Sequence, residues 1–140
     1  MNPYQAYRRQ DDLAGTSRID LLLALYDGAI ARLTKAEMAL TNGDAPVAAP
    51  YLAKAQLIVS ELAAGVRPEV DEAMGTNVLR LYEFVVNHLR TPRLANVRTA
   101  KGLLTTLREG FEAVREEANR LEQSGELAAA ERVQMVLETA

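Results

Sequence analysis

The sequence predicts an all-α fold, an antiparallel up-down four-helix bundle with a short N-terminal segment and a possible extra C-terminal helix. Composition is the first observation: 49% of the 140 residues are hydrophobic but only 5% aromatic, the remainder being mostly Ala, Leu and Val, a mixture that propagates helices. Periodicity is the second, since apolar residues recur three and four apart over four long stretches. The third is the shortness of the breaks between those stretches, which makes successive helices antiparallel neighbours. A chain of this length suits one domain, burying about two-thirds of the surface its unfolded form exposes. The expected layout within 1–140 is a cap segment over 1–16, a four-helix core over 17–123 and a helical tail over 124–140.

The first helix organises the rest. Ile19, Leu22, Tyr26, Ala29, Ile30, Leu33, Ala36 and Leu40 form one stripe, and Leu21, Ala24 and Leu25 lie off it. A helix apolar on more than one face needs more than one neighbour, so the second face is either covered within the fold or offered to a partner. Ser17 is the expected N-cap, with Asp20 in the first turn, and Asn42-Gly43 the stop. Ahead of it, Tyr4 and Tyr7 would share one side of a single helical turn. That segment reads either as a frayed terminus or as a clip lying on an apolar surface.

Asp44 caps the second helix, Ala45 to about Ala64, with Pro46 in its first turn. Its apolar face is Ala48, Tyr51, Leu52, Ala55, Ile58, Val59 and Leu62, opposed by Lys54, Gln56 and Glu61. The third helix starts near Glu69 or Ala73 and presents Met74, Asn77, Val78, Leu81, Tyr82, Val85, Val86 and Leu89. Thr91 then caps a fourth helix with Pro92 at its first position, and a seam of Val97, Ala100, Leu104, Leu107, Phe111, Val114, Ala118 and Leu121 follows. After Ser124-Gly125 the tail, Glu126–Ala140, reads as a docked helix, a continuation of the fourth, or a disordered end. A helix of about 25 residues is about 37 Å long, so the bundle is elongated, with long grooves suited to binding.

Composition and motifs exclude several chemistries. The net charge of −3 argues against a nucleic-acid protein, and the absence of Cys removes disulfides, thiolate metal sites and a cysteine nucleophile, as suits a reducing cytoplasm. No signal peptide or membrane-length apolar run is seen, which predicts a soluble, cytoplasmic protein with no direct membrane insertion. The single histidine, His88, has Val85 three residues before it, so the Glu-x-x-His pair of di-metal bundles is missing; no metal site or cofactor is expected. Glycine-rich phosphate and dinucleotide motifs are absent as well. Glu109, Glu112, Glu116 and Glu117 interleave with Arg108, Arg115 and Arg120 as on a solvated helix face. Arg90, Arg93, Arg98 and Lys101 form a basic stretch that is either solubilising or a patch for an acidic partner. Nothing points to a catalytic residue.

The positive signals are apolar: Leu21, Ala24 and Leu25, together with Tyr26, Tyr82 and the pair Tyr4 and Tyr7. They either complete the core or form a groove for an amphipathic segment. Asn2-Pro3-Tyr4-Gln5-Ala6-Tyr7, Leu25-Tyr26-Asp27-Gly28-Ala29-Ile30, Lys54-Ala55-Gln56-Leu57-Ile58 with Glu61-Leu62, Leu81-Tyr82, and Leu103-Leu104 with Leu107-Arg108-Glu109 occur in order. In these motifs, across roughly residues 1–120, the chain resembles the flagellar secretion chaperone family FliS. The resemblance implies a non-enzymatic cytosolic export chaperone, a four-helix bundle around which the disordered C-terminal region of flagellin wraps, kept from premature polymerisation. It also implies contact with the flagellar type III export gate component FlhA, and a role for Tyr4 and Tyr7 in capping the groove. Leu21, Leu22, Leu25, Tyr26, Tyr82 and Val86 are the remaining candidate flagellin-binding or groove-capping residues. Two departures stand out: Ala14-Gly15-Thr16-Ser17-Arg18 replaces the more usual Ser-Pro pair, and the tail after about Glu122 exceeds the family's usual length and could lie in the groove. A helical adaptor or scaffold binding another amphipathic helix is the alternative, although no period near 34 residues recurs; an all-α enzyme is more distant.

Overall fold

The structure, a computed structural model, describes residues 16–67, 69 and 71–125. Among the described residues the regular elements are all helices: α1 (Arg18–Thr41), α2 (Ala45–Ala64), α3 (Glu72–Leu89), α4 (Leu94–Ala113) and α5 (Arg115–Ser124). The predicted all-α bundle is the fold found. Helix α1 packs against α2 and α4, α3 packs against the same two, and α5 runs beside the start of α1. Helices α1 and α3 therefore occupy opposite corners.

Capping chemistry sets the helix starts. Ser17 Oγ accepts from the Asp20 amide at 3.2 Å, Asp44 Oδ1 from the Val47 amide at 3.2 Å, and Asp71 Oδ1 from the Met74 amide at 2.9 Å. Gly43, at φ 73°, supplies the left-handed residue that lets α1 stop and α2 fold back within three residues.

Two boundaries differ from expectation. Thr91 and Pro92 lie outside α4: the Arg93 amide donates to Thr91 O at 2.8 Å, so the chain makes one more turn, and the helix begins after Arg93 with no side-chain cap. The fourth seam is also not one helix. It is interrupted at Val114 (φ −105°, ψ 7°), where α4 ends and α5 begins, while Val114 and Ala118 stay buried on the same side. The tail beyond Gly125 and the N-terminal segment with Tyr4 and Tyr7 lie outside the described residues.

The core contains Tyr26, Tyr82, Ile19, Leu33, Ile58 and Leu89, each essentially inaccessible. It answers the question posed by the second apolar face of α1. A Cβ placed on Gly28 would meet Ile58 Cδ1 at 3.5 Å, so α1 and α2 approach closely there, and Leu25, one turn earlier on the same side, is only 5% exposed. At Leu25 the second face is covered within the fold, by α2, while Leu21 and Ala24 stay half-buried.

Candidate protein-binding surface

The four sides of the bundle are not alike. Along α1 and α4–α5, acids meet bases in a fixed register: Asp20 with Arg115, Asp27 with Arg108, and Glu37 with both Arg98 and Lys101. The Arg108 and Arg115 guanidiniums each make two hydrogen bonds to one carboxylate, the longer at 3.3 Å. The Arg115 guanidinium holds the Asp20 carboxyl below its usual range, and Lys101, then Arg98, does the same for Glu37. Two of the bases expected to pair within a solvated helix thus reach across to α1. This side is closed by charge.

The outer surface of α2 is the opposite case. Its twenty residues carry only two charges, Lys54 and Glu61. Ala48, Leu52, Ala55, Ile58, Val59 and Leu62 face inward. Outside, Ala45, Ala49 and Ala53 form one exposed row, and Pro46, Pro50 and Leu57 a second beside it. Leu57 is 41% exposed and Val47 50%. On a self-sufficient bundle these rows would carry charges, because the outward face of an amphipathic helix is ordinarily polar.

Helix α3 widens this surface by stopping early. Gln56 Nε2 donates to Leu89 O at 3.1 Å, so the last residue of α3 lies beside the middle of α2. The other end of the bundle is fixed by Glu37, near the end of α1, meeting Arg98, near the start of α4. From Gln56 back to Ala45 is about 16 Å of α2 at 1.5 Å per residue, three turns with no α3 alongside. Among the described residues, the exposed connection 90–93 spans this gap. Phe84, 43% exposed, stands on the outer face of α3 with its ring 3.9 Å from that of His88, whose Nδ1 lies 3.0 Å from Phe84 O.

The residues singled out from sequence fall into three groups. Leu25, Tyr26 and Tyr82 are buried, at 5%, 0% and 2% exposure. As accessible groove residues they are corrected: α2 covers Leu25, and the two tyrosines meet across the core diagonal with their oxygens 2.6 Å apart. Burial raises both phenol pKa values, that of Tyr82 to about 12, so the pair stays neutral. Leu21, Leu22 and Val86 are half-buried, on the edges of α1 and α3. Tyr4 and Tyr7 lie outside the described residues. Sequence reasoning missed Leu57, Val47 and Phe84; the signal available was the scarcity of charge at non-core positions of α2.

Among the described residues no group of three or more His, Asp or Glu is placed to hold a metal ion. No helix is long and apolar enough to cross a membrane, in a search of the described residues. What the surface can do is bind: small and aliphatic side chains allow close approach of another chain, and their burial yields about 25 cal/mol per Å².

Comparison with known proteins gives two findings. The family described as flagellar protein FliS matches residues 1–118. The flagellar secretion chaperone FliS of Salmonella typhimurium strain LT2 is 29% identical over 104 residues, covering 71% of this chain and 77% of that relative.

Proposed function

This chain belongs to the FliS family of flagellar proteins, and from that membership we propose that it is a cytoplasmic flagellar secretion chaperone without catalytic activity. Its client is the C-terminal region of flagellin, held out of polymerisation until delivery to the export gate component FlhA. The observation that carries the reading is the apolar, sparsely charged outer surface of α2, which the end of α3 leaves open over three turns. A disordered, amphipathic client buries its apolar side there and orders as it binds, so recognition needs neither nucleotide nor cofactor. Tyr4 and Tyr7 cap this surface when the client is absent, and Leu21, Leu22 and Val86 extend the contact toward the other end of the bundle, over a core held by Leu25, Tyr26 and Tyr82.

The test is co-expression with the C-terminal region of flagellin, followed by co-purification. Retention by the wild-type chain, and loss with Leu57→Glu at unchanged helicity, is the expected result. Failure of the wild-type chain to retain the segment overturns the client. Retention by Leu57→Glu and Ala53→Glu alike overturns the surface.

A further inference from the structure

The charges around the α2 surface are distributed in a way the chaperone reading does not require. Among the described residues, Arg98, Lys101, Arg108 and Arg115 are spent on α1, Arg120 pairs with Glu117, and Arg67 pairs with Glu69. Among the described residues Lys54, Arg90 and Arg93, like Arg18, Arg32, Lys35 and Arg80 elsewhere on the bundle, have no acidic side-chain partner, although the chain as a whole is negative.

Their positions are specific. Arg90 follows Leu89, whose carbonyl is bonded to Gln56, so Arg90 stands on the α3 side of the exposed alanine row. Lys54 lies on the other side of α2, four residues before Ile58, which contacts the α1 position Gly28. Arg93 ends the exposed connection between α3 and α4. At this end Asp44 is engaged as the cap of α2, and Glu61 lies two turns further along. The apolar strip over Ala45–Gln56 is thus bordered by cations on both sides.

We infer that the occupant of this strip is a partner helix of about three turns that lies along the outer face of α2 beside the 90–93 connection, with carboxylates flanking its apolar stripe to meet Lys54, Arg90 and Arg93. The inference rests on the chaperone reading and names the chemistry of the client segment at the α2 site. The length follows from the gap between Gln56 and Ala45, and the sign of the flanks from the unpaired cations. Small side chains at 45, 49 and 53 let the two helix axes approach closely, which brings the flanking charges within reach.

The experiment measures binding of a fluorescent flagellin C-terminal segment to the full chain at low and high salt. The variants are the triple Lys54→Glu/Arg90→Glu/Arg93→Glu and, separately, Leu57→Glu. Charge reversal should weaken binding by at least about tenfold at low salt and abolish the salt dependence of the wild type, with helicity and Tm unchanged. If the triple variant binds like wild type with the same salt slope while Leu57→Glu fails to bind, the acidic flanks are overturned and the apolar site stands. If neither variant loses affinity, the α2 site itself falls, and the flanks with it.

Discussion

The hydroxyl oxygens of Tyr26 and Tyr82 lie 2.6 Å apart inside the bundle, joining α1 and α3, two helices at opposite corners. Tyr26 also stacks at a tilt on Phe111 of α4, with ring centroids 5.5 Å apart. One phenol donates and the other accepts, in surroundings too dry to ionise either. Removing one oxygen by Tyr82→Phe strands a buried hydroxyl and should cost about 1–2 kcal/mol. The double change to Phe should cost clearly less than the sum of the two single changes, because the stranded group disappears. Urea unfolding of the four proteins checks this; simple additivity would show that the contact contributes nothing.

Leu25 and Leu57 should respond oppositely to the same substitution. Leu25→Glu buries a carboxylate between α1 and α2 and should destabilise the chain by more than about 3 kcal/mol. Leu57→Glu, on the outer face, should change stability by less than about 0.5 kcal/mol while abolishing client retention. Chemical denaturation alongside co-purification separates the two, and equal destabilisation would contradict the placement of Leu57.

Acid should loosen the α1 to α4–α5 side first. Asp20 and Glu37 have carboxyl pKa values depressed in the fold. Their contribution is therefore complete above the unfolded carboxylate range near pH 4 and is lost as pH falls through the depressed values. Exposed pairs are worth about 0.2–1 kcal/mol each. Asp20→Asn/Glu37→Gln should lower stability at pH 7 and flatten its decline between about pH 5 and 2. An acid limb as steep as wild type would show that other carboxylates control it.

Gly102 and Gly110 sit within α4 with nothing within 4 Å of where a Cβ would stand. Replacement of either by Ala should stabilise the chain by about 0.5–1 kcal/mol, the helix-propensity difference. Thermal unfolding reads the gain directly, and a loss would reveal backbone strain at these positions.

Helix identity was legible in the sequence because caps and stops are local: Ser17, Asp44 and Gly43 act within four residues of themselves. Which leucine of the run 21–23 enters the core was not. Leu22 and Leu23 both fit a helical stripe through Ile19 and Tyr26, and the position of α4 puts Leu23 inside at 5% exposure while Leu22 stays half-buried. The break at Val114 was hidden for a related reason, since the seam continues unbroken from α4 to α5 and periodicity does not register a change of backbone angle. Arg108 and Arg115 look like members of a self-paired helix until α1 supplies Asp27 and Asp20 from far along the chain. The binding surface was the least legible part, because apolar residues were read as candidates wherever they clustered on α1. The structure buries Leu25 and Tyr26 and leaves Leu21 and Leu22 half-buried, while the accessible Val47 and Leu57 stand on α2, where the sequence signal was a scarcity of charge.

No turn joins α1 directly to α4, so side-chain contacts set how far one can slide along the other. Packing of the shared core does this, and the acid-base pairs at Asp20, Asp27 and Glu37 add to it, since a slip of a single helical step would part all of them together. On the proposed function, a client seated on the opposite side would leave that frame in alignment, and its departure would leave the frame ready for another.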